Sequence, residues 1–132
     1  MLNSFFPAHG LCHYATDDNI VIIDSNGPFN LEFFKEMHAD LIQYVTENVD
    51  YRNFAILLIM RGNTLALPDG LAYHEVHVAK GTAKAIAVNL THSDYASTTA
   101  KQMKRVYDKA GLKNATFEDI KEAKNWLNSH LE

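Results

Sequence analysis

FAILLIM, residues 54–60, is apolar at every position. A short run of this kind, with neither a helical nor a two-residue period, suits a central strand covered on both faces. KAIAVNL, residues 84–90, is a second segment of the same type. Between them lie RGNTLALPDG and a stretch of helical spacing, so the pair predicts strand, helix, strand.

Working back toward the N-terminus, LCHYA (11–15) and IVII (20–23) flank TDDN (16–19). This reads as a β-hairpin with turn-forming Asp and Asn. DSNGPFN follows as a loop, with Asn30 as N-cap of a helix from about Leu31 to about Asn48. Phe34, Met37, Leu41 and Tyr44 or Val45 mark its apolar stripe. A second helix is expected over about Gly70–Lys80, stopped by Gly81 in the left-handed conformation.

Toward the C-terminus, Asp94 is expected to cap a third helix ending at Gly111, with Ala96, Ala100, Met103, Val106 or Tyr107, and Ala110 inward. NATF (114–117) predicts a short edge strand. Thr116 and Asp119 resemble a capping box for a last helix. Phe117, Ile120, Ala123, Trp126 and Leu127 form its buried stripe. Strands alternating with helices imply a largely parallel sheet, made mixed by the hairpin. The expectation is an α/β domain over 1–132 with four to five strands and about four helices.

The 132 residues fit one domain, and 47% apolar residues can build a core without staples. A net charge of −4 argues against nucleic-acid binding, which needs a basic surface. One cysteine, Cys12, permits no intrachain disulfide and suits a reducing cytoplasm. The N-terminus MLNSFFPAHG lacks the pattern of a signal peptide. AILLIM, the longest apolar run, is too short to span a bilayer.

LALPDGLAYHEVH (65–77) is the stretch richest in chemistry. Asp69 can complement a helix N-terminus, or its loop can form a docking surface. His74 and His77 fall short of the H-E-x-x-H pattern, and no third ligand is indicated, so no metal or cofactor is expected. With Leu71, Ala72, Val76 and Ala79 as the inner face, both histidines lie on a flank. The remaining histidines (His9, His13, His38, His92 and His130) are scattered. Cys12 reads as an inert strand thiol. Ser25 reads as a turn residue without a His-Asp partner.

Asn89, Thr91, His92 and Ser93 follow a buried strand, where open α/β sheets often bind ligands, although a helix-capping loop is the simpler reading. Leu65, Ala66, Leu67 and Pro68, with Phe5, Phe6, Phe29, Phe33 and Tyr73, could edge an apolar pocket under residues 62–73. The aromatic N-terminus could equally cover the sheet or meet a second subunit, giving a homodimer.

GPFN (27–30), LPDGLA (67–72) and FEDIKEAKNWL (117–127) resemble the SpoIIAA-like branch of the STAS superfamily, with its STAS/SEC14-type relatives. The resemblance implies a bacterial, non-enzymatic regulatory or protein-interaction module. Some members carry a phosphorylatable serine just before the glycine that opens the second helix. Aligned on Gly70, that position holds Asp69, preceded by Pro68. Aspartate takes no phosphate from a serine kinase and carries about one negative charge against roughly two. The resemblance to SEC14-type lipid binders implies the alternative, a small hydrophobic ligand or lipid, with Leu65, Leu67, Asp69, Tyr73, Thr91 and His92 as candidate ligand-binding residues. An enzyme is least supported, because no nucleophile–base pair or complete metal set can be read.

Overall fold

The structure is a computed structural model that describes residues 11–132. Its order is β1 (Leu11–Asp17), β2 (Ile20–Asn26), α1 (Leu31–Asn48), β3 (Ala55–Arg61), α2 (Pro68–Lys80), β4 (Ile86–Asn89), α3 (Ala96–Ala110), β5 (Asn114–Phe117) and α4 (Ile120–Asn128). One five-stranded sheet runs β1-β2-β3-β4-β5. β1 is antiparallel to β2, and the other neighbours are parallel. The class, the mixed sheet and the four helices agree with the sequence reading.

The hairpin turn is tighter than expected. Asp17 pairs with Ile20, leaving Asp18 and Asn19 as the loop, with Asp18 at φ 51°. Aspartate tolerates this left-handed region better than most residues. β2 continues through Ser25, which is therefore a buried strand residue and not a turn residue. Its Oγ donates to the Ile59 carbonyl at 2.7 Å.

Alternation along the apolar strands divides the core in two. Val21, Ile23, Ile56, Leu58, Ile86 and Val88 face one side and meet α1, α2 and α3. Ile20, Ala55, Leu57, Ile59, Ala85 and Ala87 face the other and meet α4. The two-residue period of a strand places successive side chains on opposite faces, so FAILLIM feeds both cores at once.

Several helix ends differ from expectation. Asn30 does cap α1, accepting from the Phe33 amide at 2.8 Å. α2 begins earlier, with Pro68 in its first turn, where a missing N–H costs nothing. Leu67 holds the cap position, so Asp69 is a first-turn residue, and its carboxylate accepts from the adjacent Gly70 amide. Gly81 ends α2 in extended conformation, φ −77° and ψ 173°, and not left-handed.

Tyr95, not Asp94, holds the α3 cap position, while Gly111 ends that helix at φ 78° as expected. Asp119 alone caps α4, accepting from the amides of Lys121 and Glu122. Thr116 belongs to β5. Ala123 and Leu127 are buried as expected, but Ile120 is exposed. Trp126 is only half-buried, between Phe117 and His130.

Candidate functional site

α2 turns a face inward that the sequence did not suggest. Gly70 and His74 are its buried residues, while Ala72, Val76 and Ala79 are exposed. Gly70 lets α2 meet α1 closely: a Cβ there would lie 3.0 Å from the Phe34 ring. Phe34 stacks on His74, with ring centroids 4.8 Å apart. His38 of α1 lies in the stripe of Phe34, Met37 and Leu41 and is buried with Phe34 and Met37. The flank position expected for His74, and the scattering expected of His38, are both overturned.

Three polar side chains from three helices meet inside this apolar layer. His38 Nε2 and His74 Nδ1 are 2.7 Å apart. His74 Nε2 and the Tyr107 hydroxyl are 2.9 Å apart. Burial is the main cause that pushes His38 down to about 4, with the charge of His77 adding to it. His74 is held well below the ordinary imidazole range by burial first, then by His38 and His77. Both rings are therefore neutral at neutral pH. Burial also raises the Tyr107 hydroxyl. His77 sits beside them, stacked on Tyr73 at 4.0 Å, with Nδ1–H donating to the Tyr73 carbonyl.

This chain lines a cavity of about 410 Å³ between the sheet, α1 and α2. The sheet supplies Ile23, Ile56, Leu58 and Ile86 as its floor. Met37, Leu41 and Val45 of α1 and Val78 of α2 form the walls. Ile42, Thr46, Tyr51 and Lys80 also line it and are exposed, which marks its mouth. The volume falls within the range of small-molecule sites, as does a mostly apolar lining with few polar groups.

None of Leu65, Leu67, Asp69, Tyr73, Thr91 and His92 lines this cavity. Leu65 is half-buried, and Leu67 is 67% exposed beside exposed Asp69. Ala66, Phe29 and Phe33 are closed into the core, and the cavity lies at the far end of α2 from residues 62–73. Phe5, Phe6 and His9 lie outside the described residues. Tyr73 stacks on His77, which does line the cavity.

Beyond the strand ends, the protein satisfies its own polar groups. Thr91 Oγ1 donates to the Glu118 carbonyl, and Asn89 Nδ2 reaches Thr91 and the carbonyls of Phe117 and Glu118. Thr64 bonds both Ser93 and Thr99 there. His92 is exposed. Cys12 has its thiol pushed up to about 12, mainly by burial, as suits an inert strand thiol. Among the described residues no group of three or more His, Cys, Asp or Glu is placed to hold a metal ion. Nor is any described helix long and apolar enough to cross a membrane.

No family model matches the chain. No curated protein matches it in sequence. Among solved structures it is similar to an uncharacterised protein of the DUF3478 family, with a SpoIIAA-like fold, from Shewanella loihica PV-4. The TM-score is 0.57 at 13% identity, over 94% of this chain and 98% of that one. The shared five-strand, four-helix plan therefore gives this chain the SpoIIAA-like fold.

Proposed function

We propose that the protein is a non-enzymatic binder of a small, mainly apolar ligand, held between α1, α2 and the sheet. The observation that carries this reading is the cavity of about 410 Å³ with an apolar floor and walls. Packed interiors leave few voids larger than a water molecule, so a space of this size in a short chain calls for an occupant. Exposed Ile42 and Tyr51 at its mouth extend the apolar surface outward. Burying such surface supplies roughly 25 cal/mol per Å² before the costs of association.

Prodan, a neutral naphthalene ketone whose fluorescence reports polarity, tests the reading. It should bind with a blue-shifted emission and saturate at one dye per chain. Leu41→Phe adds bulk to the cavity wall and should abolish that signal, with stability within about 1 kcal/mol of wild type. No saturable dye binding, or binding that Leu41→Phe leaves intact, would remove support for this site.

A second reading, a protein-interaction module using the start of α2, is favoured by Leu67, 67% exposed beside Asp69. One exposed leucine is ordinary on a protein surface, which makes this the lesser reading. Sedimentation would test it in the homodimer form. A dimer that Leu67→Ser dissociates, with prodan binding unchanged, would favour it.

A further inference from the structure

We infer that the cavity takes an uncharged amphiphile whose hydrogen-bond acceptor, a carbonyl, ester or ether oxygen, receives a hydrogen bond from the ring of His38. This rests on the ligand-binding reading and names the chemistry of the same site. It follows from the direction in which the buried chain of hydrogen bonds must run.

Two directions are available. If His74 donates from Nε2 to Tyr107, the phenol hydrogen needs another acceptor. Tyr107 is fully buried, and its hydroxyl has no second partner among the described residues. An unpaired donor in a dry site is costly. In the other direction Tyr107 donates to His74 Nε2. His74 then carries its proton on Nδ1 and donates to His38 Nε2. Every link is satisfied, and His38 is left with its proton on Nδ1. The hydrogens are thus assigned from the partners each atom has.

His38 Nδ1 is the open end of the chain. It has no partner among the described residues, and His38 lines the cavity. The sealed side-chain polar atom without a partner among the described residues is Gln102 Oε1, not His38 Nδ1. A neutral acceptor on the ligand completes the chain. A carboxylate could accept the same bond but would bury its charge against the neutral rings of His38 and His74. Lys80 is the lysine among the described lining residues, and it is exposed at the mouth. The neutral rings of His38 and His74 supply no compensating charge, and His77, which also lines the cavity, has its Nδ1–H committed to the Tyr73 carbonyl. Burying an unpaired ion costs far more than burying an ester.

Displacement of prodan from the wild-type chain, just above neutral pH, separates these ligands. Methyl decanoate, decanoate and decylammonium share a tail and differ in head group. Methyl decanoate should displace the dye, with either ion at least about tenfold weaker. Long-range proton–nitrogen NMR of the histidine rings should find the proton of His38 on Nδ1 and that of His74 on Nδ1. His38→Phe, once shown to unfold cooperatively in urea, should weaken methyl decanoate by about fivefold and leave decanoate unchanged. Decanoate binding as well as the ester, failure of the ester to displace bound dye, or a proton on His38 Nε2 would each overturn the assignment while leaving the ligand reading intact. Absence of any prodan binding would instead sink the ligand reading, and this assignment with it.

Discussion

α4 covers its face of the sheet over Ala55, Ala85 and Ala87, whereas α1, α2 and α3 cover the other over Ile23, Ile56, Leu58 and Ile86. Alanines leave room for a helix to settle close, and Ala123 and Leu127 are fully buried there. The other layer uses long and aromatic side chains, buries two histidines and a tyrosine, and still leaves about 410 Å³ open. One sheet therefore carries a face specialised for packing and a face that gives up packing. Unfilled volume and buried polar groups both lower stability, so their occurrence on the same face points to a use.

Equal truncations on the two faces should be unequal in cost, and this is the largest effect expected. Leu127→Ala should destabilise by about 3–4 kcal/mol, because it empties a closed site. Leu41→Ala, at a cavity wall already open, should cost about 1–2 kcal/mol. Urea unfolding measures both, and equal costs would show that the cavity face is packed as tightly as the other.

Acid should weaken the cavity face next. His38 is held at about 4 in the fold, against 6.5 ordinarily. As pH falls, the unfolded chain takes up the proton first. The contribution is therefore whole above about 6.5 and is lost as pH falls toward 4. Its size is on the order of 3 kcal/mol. The difference in stability between wild type and His38→Phe, followed across that window, isolates it. A difference that stays constant with pH would mean that His38 is not buried as a neutral ring.

The smallest of these effects belongs to the end of the chain of rings. Tyr107→Phe leaves His74 Nε2 without its partner and should cost about 1–2 kcal/mol in thermal or urea unfolding. An unchanged midpoint would indicate that the hydroxyl does not serve the histidine.

The fold was legible because it rests on strong local patterns. An unbroken apolar run sets β3, a polar turn sets the hairpin, and Ala123 and Leu127 set α4. The site was not legible, because its members stand far apart in sequence on three helices. Reading α2 by polarity turned Val76 inward and His74 outward, the reverse of what the fold does. Only tertiary packing, with Gly70 against Phe34, chooses the other face. A signal did exist in α1: His38 follows Phe34 by four residues and precedes Leu41 by three, squarely within an apolar stripe. In α2, Gly70, Leu71, His74 and Val78 form a continuous helical stripe once histidine is admitted to it. Asn30 caps α1 as expected, but the starts of α2 and α3 were misplaced for a smaller reason. Asp69 and Asp94 sit within two residues of a helix start, but the chain turns at Leu67 and Tyr95.

Methyl NMR during titration with methyl decanoate tests the central claim most directly, because both faces are read in one experiment. The expected result is saturable shifts at Met37, Leu41, Val45, Ile56, Leu58 and Ile86, with Leu57, Ala87, Ala123 and Leu127 unmoved. Shifts confined to the α4 face, or no saturable shift anywhere, would contradict a ligand site between α1, α2 and the sheet.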